Sequence, residues 1–317
     1  MGASGLSSRA IIGRFYQKLE ILSGQSWVDK ISMLFGSDQP SETYKWLGYT
    51  PALREWLGGR NAKGLRENGI TIENKIWEAT LEVLTDDLRR DKTGQIDVRI
   101  GELAQRAVTH YASLLSTLIL NGGSTLAYDG QFFFDTDHAE GANVTNQSND
   151  ISVTIAGVPA AVHGTTSTPS PEEFQFAMLK ATATLLAFRD DQNEPMNEEA
   201  RSFLVQVPTN MWTAAAAAVR SPMLGNGASS VVANLDGYRF DVAVNPRLDS
   251  VPTKFNVFRT DGQAKPFIRQ EEEGVTVDAL GLGSEYEFIN NRQVFGIKAI
   301  RNVGYGYWQH AVRVTLA

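Results

Sequence analysis

No cysteine occurs among the 317 residues, which removes disulfides, thiolate zinc sites and cysteine nucleophiles together. Long apolar runs are missing too. The stretch "ASLLSTLIL" is about half of what a bilayer span needs, so no membrane partner is expected. The opening "MGASGLSSRAIIGRFYQKLE" has no apolar core flanked by a cleavage site and reads as no secretory signal. Leu6 takes Met1-Gly2 outside the myristoylation pattern. A surplus of positive charge is also absent. The net charge is −7, which argues against a nucleic-acid groove over much of the surface. A shell that encloses nucleic acid without gripping it tolerates that sign.

Catalytic signatures are lacking in turn. There is no Gly-x-Ser-x-Gly and no Ser-x-x-Lys in a plausible setting, and no His-Glu-x-x-His. "GGSTLAYDG" follows a helix instead of opening one, so it is a poor phosphate cradle. Gly281-x-Gly283 has neither a third glycine nor a following helix, so it is no dinucleotide fingerprint. The pairs Glu172-Glu173 and Glu198-Glu199 fall at expected helix starts, where acids favour the dipole.

With 42% hydrophobic and 21% charged residues, a sizeable core is possible and global disorder is not expected. Residues 8–35 form an amphipathic stretch, with Ile11, Ile12, Phe15, Leu19 and Leu22 at helical spacing, broken by "GSDQPSE". Such a stripe docks on its own domain or, as an arm, on another subunit. From Ile70 to Leu84 a β-type run of about fifteen residues far exceeds the usual strand and would extend ~50 Å. A shift of apolar phase between Ile76 and Trp77 points to a bulge or twist. With turns upstream, the run makes a long hairpin bearing Trp46, Trp56 and Trp77, with too little chain around it for burial. Next, "DVRIGELAQRAVTHYASLLSTLILN" reads as a helix ~36 Å long stopped by Gly122-Gly123, with Val98, Leu103, Ala107, Tyr111, Leu114, Leu115 and Leu118 as its stripe. His110 within it reads as a packing or surface residue.

An α/β block follows. It has a helix started by Ser170 with Pro171 at N1, a buried strand "SFLVQVP", a helix "TNMWTAAAAAVRSP" capped by Thr209, and a strand "YRFDVAVNP". The alanine run is high helix propensity. From Lys254 onward the pattern is β: "KFNVFRT", "KPFIRQ", "VTVDAL" and "YEFINNRQVFGIKAIRNVGYGYWQHAVRVTL", with "EEEG" as a solvated turn. "GYGYWQH" places Tyr305 and Tyr307 on one face and Trp308 and His310 on the other, as in cross-strand packing.

One segment invites chemistry. "AYDGQFFFDTDHAEG" sets Asp129, Asp135, Asp137 and His138 around three phenylalanines. On a strand Asp135 and Asp137 share a face while His138 points away. A metal site would need a bend plus His163 or His310 from afar, and calcium-loop spacing is missing. The segment is a metal-dependent hydrolase site built on Asp135, Asp137 and His138, or the decorated end of a strand.

Three strings, "YKWLGYTPALREWLGGR", "GITIENKIWEATLEVLTDD" and "YDGQFFFDTDH", resemble signature segments of the Mu-like phage and prophage major head subunit (gpT) family. "RTDGQAKPFIRQEE" and "VFGIKAIRNVGYGYW" are similar to it as well. The likeness is dense over residues 42–140 and from 255 onward. It implies an α+β capsid fold of the Hong Kong 97 type: an N-terminal arm (1–41), an extended loop (42–84), a peripheral domain with a long spine helix (85–167), an axial domain (168–255) and peripheral C-terminal strands (256–317). It implies a structural protein without catalytic residues or cofactors, self-assembling as hexamers and pentamers into an icosahedral shell around double-stranded DNA. Trp46, Trp56, Trp77, Ile70, Ile72 and Phe15 are the expected inter-subunit contacts. Expected partners are a scaffold or protease, a portal and decoration proteins. The expected place is the virion, assembled in the bacterial cytoplasm. The fold's lysine–asparagine cross-link is not carried over: Lys63 and Lys75 lie near the hairpin, but no motif identifies a matching asparagine and acid. A tail-tube or baseplate component is the structural alternative.

Overall fold

The computed structural model describes residues 8–22, 26–45, 47, 69–90, 94–139, 146–223, 225, 227 and 229–317. Helix α1 (Ser8–Leu22) and the single turn α2 (Val28–Ile31) lead into β1 (Ser32–Gly36). Then come β2 (Ser41–Tyr44), β3 (Ile70–Glu73), β4 (Ile76–Leu84), α3 (Thr85–Arg90) and α4 (Gln95–Leu120). β5 (Asp150–Val153), α5 (Pro171–Ala187), β6 (Ser202–Val207), α6 (Trp212–Arg220) and β7 (Arg239–Val244) follow. Last are β8 (Lys254–Arg259), β9 (Phe267–Leu280), α7 (Glu285–Asn290), β10 (Arg292–Tyr305) and β11 (Ala311–Leu316).

Two sheets organise these elements. One has four strands in the order β1-β9-β10-β4, the other five in the order β5-β11-β8-β6-β7. In the first, β9 and β10 form a long antiparallel pair from Phe267↔Tyr305 to Leu280↔Val294, and β1 adds to β9 in parallel. In the second, β6 and β7 run parallel with α6 between them in sequence, while β11 bridges β5 and β8. The strands after Lys254 therefore divide between the sheets. β8 and β11 join the α/β block, together with β5 from before it. Sequence proximity does not set these boundaries, because strand pairing selects neighbours by register and burial, not by chain order.

The long helix meets its expected bounds to within two residues. Its buried face is Ile96, Ile100, Ala104, Ala107, Tyr111, Leu115 and Ile119, an i/i+3/i+4 stripe. Val98 lies off that face and is 61% exposed. Ala104 and Ala107 leave room for α1, whose Ile11 and Phe15 enter a small core with Ile96, Ile100, Phe295 and Ile297. Lys18 and Arg14 of α1 reach Asp97 of α4 at 2.8 and 3.2 Å. The larger core joins the second half of α4, the inner ends of β9 and β10, and the whole five-stranded sheet.

Five local expectations change. The long β run breaks at Asn74-Lys75: β3 pairs with β2, while β4 pairs with β10 along its length. "EEEG" is no turn but the middle of β9, since pairing with β10 overrides its charge. "YEFIN" is α7, capped by Ser284 and closed by Asn291 in the left-handed region, not a strand. Thr209 does not cap α6, which starts at Trp212; its hydroxyl donates to Asp249 instead. By contrast, Ser170 and Glu173 form a reciprocal capping box on α5 with Pro171 in the first turn, as the sequence predicts. Glu198 and Glu199 lie in a turn, not at a helix start.

Candidate functional site

Gly122 lets the chain turn sharply out of α4. A Cβ there would sit 2.5 Å from the Phe134 ring. The turn brings Phe133 and Phe134 into the core while Phe132 stays 40% exposed. Phe133 stacks on Tyr305 at 4.5 Å and meets Phe267 at 5.1 Å. The phenylalanine run therefore pins the exit of the long helix to the inner ends of β9 and β10.

The polar residues that follow close a buried knot. His138 is fully buried, flat against Trp308 with centroids 3.9 Å apart. Its Nδ1 lies 2.6 Å from the Asp129 carboxylate and its Nε2 lies 3.2 Å from Asn149 Oδ1. Asn149 is oriented by its amide, which donates to the carbonyls of Phe133 and Trp308, and Oδ1 also accepts from the Asp135 backbone. The polar side-chain atoms of His138 and Asn149 thus answer neighbouring chain segments, while the Trp308 indole N–H is buried without a partner among the described residues.

Asp135 and Asp137 do not converge on His138. The backbone N–H groups of Phe132 and Thr136 donate to Asp135. Burial is the largest influence on that carboxyl and pushes it up, but these bonds win and hold it below the ordinary range. Asp137 is raised, chiefly by its hydrogen bond with Asp135. Among the described residues no group of three or more His, Asp or Glu is placed to hold a metal. His163 is committed elsewhere, 2.9 Å from Glu173. His310 is buried on another side of the Trp308 turn, its protonation pushed down to about 3 by burial and by Arg259 and Lys265. Asp135, Asp137 and His138 therefore form no such group among the described residues.

The expected contact residues separate. Phe15 is 2% exposed and Ile72 4% exposed, so both are buried inside this chain. Ile72 fills the space that Gly304 leaves on β10. Ile70 is partly buried against the main core. Trp77 is half-buried; its Nε1 donates to the Arg301 carbonyl and its ring meets His110 edge-on at 4.7 Å. Trp46 and Trp56 lie outside the described residues.

A second cluster was not foreseen. Tyr111 on α4 lies between two guanidinium groups, Arg301 at 4.5 Å and Arg269 at 5.2 Å, and its hydroxyl donates to Glu271. Arg301 also donates to His110 Nδ1 and to the Ala107 carbonyl, tying β10 to the helix. Burial and the Arg301 charge push His110 down to about 4. The signal in the sequence was slight: two arginines on alternating strands opposite a helical tyrosine.

The profile of the Mu-like prophage major head subunit gpT family matches residues 9–162 and 232–316. The Mu-like prophage FluMu major head subunit of Haemophilus influenzae is 38% identical over 127 residues, 39% of this chain and 41% of that protein. The major capsid protein of Escherichia phage Mu is 35% identical over 119 residues, 38% and 39% of the two chains. These alignments thus span about two fifths of either relative's length. A subunit from the procapsid of bacteriophage JBD30 superposes with a TM-score of 0.56 at 22% identity, over 97% of this chain and 74% of that one. That likeness is one of fold.

Proposed function

Because the chain belongs to the Mu-like prophage major head subunit gpT family, we propose that it is the wall-forming subunit of a tailed-phage head. On this reading it is a structural protein without turnover, whose copies close into an icosahedral shell of hexamers and pentamers. The observation that carries the reading is its unspent surface. The long β9–β10 pair ends in an apolar tip where Phe288 is 91% and Leu282 79% exposed. Contiguous exposed apolar surface of this kind marks an interaction site.

The peripheral part would comprise α4 and the four-stranded sheet, and the axial part the five-stranded sheet with α5 and α6. Residues 1–41 would be the arm and 42–84 the extended loop. A net charge of −7 suits a wall that encloses double-stranded DNA without holding it. A scaffold or protease, a portal and decoration proteins would be further partners. The protein would reside in the virion after assembly in the host cytoplasm.

Electron microscopy and sedimentation of the purified chain test this. Closed shells support it; tubes would favour a tail component. A chain that stays monomeric at every concentration and ionic strength tried would overturn it.

A further inference from the structure

Two surfaces of opposite shape and charge are left unpartnered among the described residues. The first is a knob. Beyond the last β9–β10 pair, the chain forms a loop and α7, where Phe288 and Ile289 are 91% and 67% exposed. Glu285 and Glu287 lie beside Phe288, and Asp278 stands two residues before the end of β9. Glu82 pairs with Arg292 and Glu287 caps the turn by accepting from Gly283, but Glu285 and Asp278 have no ion pair among the described residues.

The second is a groove of about 750 Å³ between α4 and the β4–β10 edge. Its apolar lining includes Trp77, Leu114, Ala299 and Val303. Its rim carries Lys75, Arg106 and Arg247, none of which has a carboxylate partner among the described residues. Lys298 on the same rim is held by Glu273 at 2.9 Å, and Glu78 is the acid there. In a chain of net charge −7, three unpaired cations around an apolar hollow are a local reversal of sign.

The knob cannot fill the groove of its own chain. Strand β10 runs from Arg292, next to the knob, to the groove-lining Ala299 and Val303, so the two lie ~25–35 Å apart along it. The geometry points to a heterologous contact in which the α7 knob of one copy seats Phe288 and Ile289 in the α4–β4 groove of the next, with Glu285 and Asp278 facing Lys75 and Arg106. Apolar burial supplies the attraction, and opposite charge around it fixes the register. A contact joining different patches repeats from copy to copy and closes only where the rotation allows. The inference deepens the head-wall reading and rests on it.

The absence of cysteine makes the test direct. Ile289→Cys and Ser113→Cys are made in separate chains, mixed, and oxidised after assembly. An inter-chain disulfide between them on a non-reducing gel is the expected result, with none when Ala183→Cys on α5 replaces Ser113→Cys. Arg106→Glu should lower particle yield by roughly tenfold or more, and Glu285→Arg in a co-assembled copy should restore much of it. Circular dichroism confirms that the singly substituted chains stay folded. Particles that form without the 289–113 link, or that tolerate Arg106→Glu, overturn the contact while leaving the head-wall reading intact. No particles and no link from otherwise wild-type surfaces overturn both.

Discussion

The imidazole of His138 lies on the indole of Trp308 with the ring planes only 7° apart, although 170 residues of chain separate them. Through Asp129 and Asn149 the same imidazole ties the exit of the long helix to the turn before β11. Replacing it by alanine leaves Oδ2 of the Asp129 carboxylate, whose side chain is 2% exposed, without its partner, since the Gln131 N–H reaches only Oδ1. His138→Ala should therefore cost about 3 kcal/mol, read from chemical denaturation. Asp137→Asn should leave the midpoint unchanged, and neither variant should alter metal content by elemental analysis.

The three phenylalanines should be unequal. Phe133 has no exposed surface and touches Tyr305, Phe267 and Phe134. Phe133→Ala should destabilise by about 3–5 kcal/mol. Phe132→Ala, at an exposed position, should stay within ~0.5 kcal/mol of the parent. Thermal melts of the two variants side by side check this.

Gly122→Ala tests the turn out of α4. The added methyl would meet the buried Phe134 ring from 2.5 Å, and that ring is itself covered by Arg313 at 4.7 Å. Overpacking of this kind costs about 1–3 kcal/mol. Restoration by the double variant Gly122→Ala/Phe134→Leu would locate the cause at that contact.

Mild acid should weaken the fold. His310 and His110 are pushed down to about 3 and about 4, in both cases chiefly by burial, with neighbouring cations adding to it. As pH falls below about 6.5 the unfolded chain binds these protons and the folded chain does not, so stability falls. The loss continues until pH passes the folded values. Asp97, Asp241 and Asp261, all held low in the fold, add loss in the same direction at lower pH. Denaturant midpoints at pH 7, 5.5 and 4.5 should decline in that order, and less steeply in His310→Gln.

Local rules carried much of the outcome. The α5 cap at Ser170 and the stop at Gly122 depend on neighbours within a few residues, so they were legible. The nature of "DTDH" was not. Asp129 and Asn149 lie near it in sequence, but Trp308 arrives only through the sheet, and without Trp308 the acids and histidine resemble ligands.

What the sequence by itself determined is the set of elements that short-range periodicity, caps and breakers specify: the long helix, the α5–β6–α6–β7 block, the β-rich C-terminal stretch, and the exclusion of thiol chemistry. Its strings also pointed to the family. Tertiary structure alone decided which strands share a sheet, that Phe15 and Ile72 are buried inside the chain, that "EEEG" continues a strand, and that His138 packs instead of ligating. Each of these depends on which distant segment removes a given surface from water. Burial is a property of the assembled cores, and no single stretch of chain encodes it.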